Sequence, residues 1–216
     1  MSEYVVCGYY TPDYRRWWDK LRPTLEAWGA PHDFVEVPKV VGGWEANTMA
    51  KPHHLLAALD RHPDKVVIFV DVDCTVHNSL EPLARLRGDV AFYIRTKRKR
   101  GAKWGSIRSG TLVLRPTPAA RDFVVTWIRQ RTEFGDVDQN TLMLAVCEAR
   151  CSFEPLPVAY CCIPADKVAA PIIFHDSASA GVAKVGKIAK AAARVGLPRW
   201  MVKAMPAKRT TLEGTT

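Results

Sequence analysis

The sequence is short of several things, and each shortage narrows what the chain can be. Its longest strongly apolar runs, such as Val66 to Val70, are about five residues, where a bilayer-spanning helix needs roughly 20. No segment is therefore expected to cross a membrane. The opening residues Met1-Ser2-Glu3-Tyr4 lack a basic stretch followed by an apolar core, so no secretory signal is read and the cytoplasm is the expected location. There is no internal repeat. Acidic charge is the scarcer sign: 22 Asp+Glu stand against 31 Lys+Arg in 216 residues, a net charge of +9. That excess favours an anionic partner, whether a nucleotide, nucleic acid, a phosphorylated glycan or a membrane surface.

What is present is the make-up of a folded domain. With 48% hydrophobic and 25% charged residues the chain can bury a sizeable core, which excludes disordered and fibrous classes. Its 6 cysteines are expected as thiols behaving as small hydrophobes. Cys147, Cys151 and the Cys161-Cys162 pair suggest zinc only weakly, since adjacent cysteines suit tetrahedral ligation poorly.

Secondary-structure signals alternate. Tyr4 to Tyr10 reads as a strand, and Thr11-Pro12-Asp13 caps a helix carrying Trp17, Trp18, Leu21, Leu25 and Trp28, which Gly29 stops. A strand over about 32–37, a helix over Asn47 to Leu59 and a strand over Lys65 to Val70 follow; the last lacks alternation, as expected when both faces are covered. A turn or short helix near Pro82 to Leu86 precedes a strand over Asp89 to Tyr93. The basic stretch from Arg95 to Gly105 reads as an exposed loop. Thr111 to Leu114 is a strand, Pro118 to Arg131 and Asp138 to Ala149 are helices, and short strands fall at Phe153 to Leu156 and Pro171 to Phe174. From residue 180 the composition turns to Ala, Lys, Val and Gly, a basic amphipathic tail with a disordered end that could lie on anionic lipid. The domain is thus read as 1–179 and the tail as 180–216.

The buried strand ends abruptly in Asp71-Val72-Asp73. Residues i and i+2 of an extended backbone point the same way, so two carboxylates share one side and can hold a hard divalent cation. The carboxyl end of such a strand is where open α/β sheets bind ligands. The plain alternative is a solvated strand end with acidic turn residues.

This run, Val67-Ile68-Phe69-Val70-Asp71-Val72-Asp73-Cys74-Thr75-Val76, resembles the apolar strand and D-x-D motif of nucleotide-sugar glycosyltransferases of the GT-A fold. Three further segments are similar to that group in its own order. They are Ser109-Gly110-Thr111-Leu112-Val113-Leu114 followed by Phe123 and Trp127, then Asp138-Gln139, then Ile172-Ile173-Phe174-His175. The four cover residues 4 to 177. Departures are the short chain, Ser109 where many members have Asn, and the basic stretch, which has no family counterpart.

The resemblance implies an α/β, GT-A-like (Rossmann-like) three-layer sandwich with a mixed central sheet. It implies that Asp71 and Asp73, with His175, bind manganese or magnesium, and imidazole beside carboxylates suits manganese better. Taken alone His175 reads as a packing histidine, and His53-His54 as surface or packing residues. By resemblance Asp138 bonds sugar hydroxyls and Gln139 lies near the anomeric carbon, a pattern commoner in anomer-retaining enzymes; helix capping explains Asp138 equally. Tyr9, Tyr10 and Thr11 fall where the nucleobase binds, with Val72, Ser109 and Gly110 along the donor, and Lys51 matches a basic residue that contacts donor phosphate or sugar. A core tyrosine and a solvated lysine are the alternatives. Lys97, Arg98, Lys103 and Trp104 form a basic segment with an aromatic, suited to an anionic acceptor or phosphate.

The expected activity is metal-dependent transfer of a sugar from a nucleoside diphosphate sugar, with UDP or GDP as carrier. The acceptor is a glycan, a glycolipid at the inner membrane face, or modified nucleic acid. A non-enzymatic nucleic-acid or membrane-surface binding module is the alternative. A phosphohydrolase or nucleotidyltransferase is disfavoured, because Tyr9-Tyr10-Thr11 stands where its extra carboxylates belong.

Overall fold

The structure is a computed structural model that describes residues 3–99, 102–130 and 137–176; of residues 43–45, 97–99 and 102–104 it describes the backbone alone. The chain divides into two units, Met1–Ser177 and Ala178–Thr216, and everything described belongs to the first. The tail expected from residue 180 lies outside the described residues.

Strand β1 (Tyr4–Tyr10) leads through a 3-10 turn (Pro12–Tyr14) into helix α1 (Arg15–Ala27). The helix ends where Gly29 takes φ +59°, a left-handed conformation that costs glycine little. Strand β2 (His32–Glu36) follows, then α2 (Gly43–Met49), α3 (Lys51–Arg61), β3 (Val66–Val70), β4 (Cys74–Val76) and the short α4 (Glu81–Ala84). Next come β5 (Val90–Lys99), β6 (Ala102–Leu114), α5 (Pro118–Arg129), α6 (Asp138–Glu148), β7 (Phe153–Pro155) and β8 (Ile173–His175). No helix among the described residues is long and apolar enough to cross a membrane.

Six strands form a mixed sheet in the order β2-β1-β3-β6-β5-β7. β1 runs parallel to β2 and β3, while β6 is antiparallel to both β3 and β5. Side-chain alternation explains why the strand sequences are apolar throughout. Val66, Ile68 and Val70 enter one core with Trp18, Leu21 and Leu25 of α1, and Val67 and Phe69 enter the other with Leu55, Phe123, Trp127 and Leu142 of α3, α5 and α6. Both faces are therefore covered, giving the three-layer α/β sandwich with a mixed sheet.

Two elements differ from the sequence reading. Residues 95–99 and 102–105 of the basic stretch are not a loop: β5 and β6 carry them as a two-stranded ribbon, pairing Arg95 with Ser106, Lys97 with Trp104 and Lys99 with Ala102. Its row of charged residues hides the apolar alternation by which strands are read, and the ladder hydrogen bonds that define it need no apolar side chains. A register shift between Phe92 and Tyr93 marks where the ribbon leaves the body of the sheet. Beyond the acidic pair, Cys74–Val76 forms a second small sheet with Ile173–His175, pairing Cys74 with His175.

Candidate functional site

β6 is antiparallel to β3, with Val70 opposite Thr111, and the ladder continues as Asp71 N–H donates to Gly110 O at 2.9 Å. The chain of β3 thus delivers Asp71 and Asp73 at the carboxyl ends of the parallel strands, beside Ser109 and Gly110. The β4–β8 pair brings His175 to the same place, and Asp176 N–H donates to Asp73 O at 2.8 Å. One carboxylate oxygen each from Asp71 and Asp73 and one ring nitrogen of His175 lie within 4.8 Å of one another.

Beside this trio lies a buried ion cluster. Lys51, in the first turn of α3 and only 4% exposed, places its Nζ 2.7 Å from Asp71 Oδ1 and 2.5 Å from Asp138 Oδ2. It also donates to Ser109 O at 3.2 Å, and Ser109 Oγ donates to Asp138 Oδ2 at 2.7 Å. Burial pulls the Lys51 ammonium down, but Asp138 and Asp71 more than offset this and hold it above its ordinary value. An ammonium at a helix N-terminus opposes the helix dipole, so the carboxylates are what keep it there.

Asp71 is pushed up to about 7 by burial and by the Asp73 and Asp138 charges, against the pull of Lys51. His175 is 5% exposed, and burial followed by the Lys51 and Arg108 charges lowers it to about 3, so its ring is neutral at physiological pH. One ring nitrogen, Nε2, shares a hydrogen bond with Thr111 Oγ1 at 2.9 Å, and the other is left for a ligand. Two carboxylates and a neutral imidazole form a donor set that fits a hard divalent cation, manganese better than magnesium. Gly110 makes room for that ring: a Cβ there would stand 2.9 Å from His175 Cε1.

Asp138 is the first residue of α6, after the N-cap Val137, and its carboxylate turns to Ser109 and Lys51. Gln139 is the next, half-buried residue of that first turn. The three residues at the end of β1 part company. Tyr9 faces the Lys51 cluster, its hydroxyl donating to Asn47 O at 2.8 Å and its ring tilted 32° against that of His54 at 4.1 Å between centroids. Tyr10 turns into the core against Trp18, and Thr11 donates to Asp13 Oδ1 at 2.6 Å. Val72 is buried in the same core as Tyr10. Lys97, Arg98, Lys103 and Trp104 lie on the ribbon, which extends past Gly110 on the site's side of the sheet; their side chains are outside the described residues.

Three residues of the site were not singled out from the sequence. Thr111 holds the His175 ring. Tyr14 has its phenol raised by burial and then by the nearby Asp73 charge. Arg108, 8% exposed, lies over the Tyr93 ring, donates to Cys161 O at 2.7 Å and forms a two-pronged ion pair with Asp166, fastening the segment that leads to His175 onto β6. An arginine on a strand otherwise reading as polar and exposed carries no sequence signal of such a pairing.

No protein-family model matches the chain, and no curated protein matches it in sequence. Solved structures do match in shape. A glycosyltransferase involved in glycosylation of the major capsid of PBCV-1 superposes with a TM-score of 0.62 at 13% identity, over 81% of this chain and 92% of that one. The glycosyltransferase GlyE of Streptococcus pneumoniae TIGR4 matches with a TM-score of 0.53 at 15% identity, over 80% of this chain, which spans only 54% of GlyE. The galactosyltransferase LgtC, solved with donor and acceptor sugar analogs, matches with a TM-score of 0.50 at 11% identity, over 79% of this chain and 86% of that one. At such identities the likeness shows the fold, and the fold is the GT-A glycosyltransferase type.

Proposed function

We propose that the chain is a metal-dependent glycosyltransferase that moves a sugar from a nucleoside diphosphate sugar to an acceptor. The observation that carries this is the convergence of Asp71, Asp73 and His175 at the carboxyl end of the sheet, next to a buried lysine shared by Asp71 and Asp138. Asp71, Asp73 and His175 hold manganese, and the ion, when bound, neutralises charge that develops on the departing diphosphate. The chain's own groups do the rest. Thr111 fixes the His175 ring, Lys51 and Ser109 fix the Asp138 carboxylate, and Asp138 with Gln139 orients the sugar over the acceptor. Tyr9, on the cluster's side of β1, meets the donor's base or ribose. Transfer with retention of the anomer follows the Asp138-Gln139 pairing, and UDP or GDP is the carrier.

A module that only bound nucleic acid or lipid would have no use for this site. Burying an ammonium against two carboxylates costs several kcal/mol of desolvation for each ion, which surface charge avoids. The acceptor is a glycan, glycolipid or modified nucleic acid.

The test is a thermal-shift panel of nucleoside diphosphates and their sugars with and without manganese, since a ligand specific to the native state raises the melting temperature. A shift with one diphosphate, dependent on manganese and absent in Asp73→Ala, is expected. With the productive donor, that variant should turn over roughly 100-fold slower or worse, as several kcal/mol of charge stabilisation disappears. Wild-type turnover in Asp73→Ala would sink the metal assignment.

A further inference from the structure

The site just described makes no use of Cys7, Asp33 or His62, yet the fold gathers these three elsewhere. Cys7 of β1 and Asp33 of β2 are register partners in a parallel pair, so their side chains leave the same face of the sheet. That is the face α3 covers, and His62 caps the carboxyl end of α3. The Cys7 sulfur, one Asp33 oxygen and one His62 nitrogen lie within 4.8 Å of one another.

We propose that Cys7, Asp33 and His62 bind one zinc-class divalent cation at the β1–β2 edge of the sheet. Thiolate, imidazole and carboxylate together are the donor set that zinc accepts, with water in the fourth position of a tetrahedron. Ligands at about 2.0–2.3 Å from a shared ion stand about 3–4 Å apart, a spacing that fits inside the 4.8 Å bounding this trio. His62, with 21% of its side chain exposed and at a helix end, has the freedom to adjust to an ion.

The neighbours suit the role. Arg61 Nε donates to Asp33 Oδ2 at 2.7 Å and steadies the carboxylate from outside, as hydrogen-bonded partners of metal ligands do. His62 Nε2 sits 2.8 Å from the same Oδ2, and a cation bound between them takes the place of the ring hydrogen, which moves to Nδ1. The last carbonyls of α3 add the negative end of its dipole.

Burial, then the Asp33 charge, push the Cys7 thiol up to about 12, so without a cation it stays protonated. Binding breaks the S–H bond, forms a sulfur–metal bond and releases the proton to solvent, and affinity therefore rises with pH. The thiolate separates this site from the first: oxygen-loving manganese belongs with Asp71 and Asp73, zinc with Cys7.

Cobalt(II) serves as a coloured stand-in for zinc. Titrating the full chain should produce a near-ultraviolet thiolate-to-cobalt absorption that saturates near one ion, with about one proton released per ion. Zinc should bleach it and manganese should not. The band should vanish in Cys7→Ala, weaken in affinity at least about 10-fold in His62→Gln, and persist in Asp73→Ala. Should Cys7→Ala fail to fold, His62→Gln, at a partly exposed position, carries the test. Absence of the band in the wild type, its survival in Cys7→Ala, or unchanged affinity in His62→Gln would each overturn the proposal.

Discussion

Lys51 decides what the candidate site is at the scale of single residues. As a sequence position it reads either as a solvated lysine or as a donor contact. The structure overturns the solvated reading and makes Lys51 the buried counter-ion of Asp71 and Asp138. Removing one partner of a buried pair leaves the others uncompensated, at a cost of about 3–5 kcal/mol. Lys51→Met should therefore lower the urea midpoint steeply, and adding Asp138→Leu should recover part of the loss. A midpoint within error of wild type would show that the lysine is not holding the carboxylates. Gly110 makes a second residue-scale case. An added Cβ meets His175 Cε1 at 2.9 Å and Nδ1 at 3.1 Å, and the ring is also held by its hydrogen bond with Thr111 Oγ1. Gly110→Ala should thus weaken manganese binding about 10–100-fold while melting close to wild type. In Gly110→Ala/His175→Ala the alanine at 110 should add nothing further, since the two act through one ring; additive losses would refute that coupling. The sequence singles out the acidic pair because it ends an apolar strand, and His175 and Lys51 through the family resemblance; the structure brings Asp71, Asp73 and His175 within 4.8 Å of one another. Thr111 and Arg108 gave no such signal, because what they do depends on partners 64 and 58 residues away in His175 and Asp166.

Elements show the same division between local and distant information. Strands β1 and β3 and helices α1, α5 and α6 follow from apolar spacing and Gly29, all readable within a few neighbours, although the cap expected of Thr11 is not made because its hydroxyl donates to Asp13 instead. α5 even shows its cap: Thr117 Oγ1 accepts from Ala120 N–H at 3.2 Å, with Pro118 at the first position. β4 has only Cys74–Val76, and its partner Ile173–His175 lies far along the chain, so no local pattern announces it. The ribbon of β5 and β6 is held by backbone ladder bonds beneath a charged sequence. It extends past the site's edge of the sheet with Arg95, Lys97, Arg98, Lys99 and Lys103 and no acidic residue among them, so under the proposed function an anionic acceptor would meet it there. Replacing Lys97, Arg98 and Lys103 with Ser should reduce the salt slope of polyanion binding by up to about 3, as each phosphate contact contributes about 0.9 on duplex DNA. The manganese-dependent thermal shift with nucleoside diphosphate should stay as it is. An unchanged slope would remove the ribbon from the acceptor site.

For the whole molecule, the crowding of charge at the end of the sheet turns into a dependence of stability on pH. Burial and the Asp73 and Asp138 charges raise Asp71 to about 7 in the folded chain, against about 3.9 when unfolded. Between those values the folded state holds the extra proton, so this group's contribution to stability is greatest below pH about 4 and is lost as pH rises through 7. His175 works the other way. It is lowered to about 3 when folded, so below its unfolded value of about 6.5 the unfolded chain takes up the proton, and stability falls as pH drops. The two slopes oppose each other between about pH 4 and 6.5, which flattens the metal-free wild-type profile and hides both groups. Asp71→Asn separates them. Relative to wild type it should gain in melting temperature from pH 5 to pH 8, because the penalty on the ionised carboxylate is gone. Manganese reverses the comparison at pH 8: it relieves that penalty in the wild type and stabilises it, whereas the variant lacks the ligand and should respond weakly. Parallel pH profiles for the two proteins without metal would mean that Asp71 is already ionised at neutral pH, fully compensated by Lys51. The cation would then be drawn to the site by Asp73 and His175 rather than by the unmet charge of Asp71.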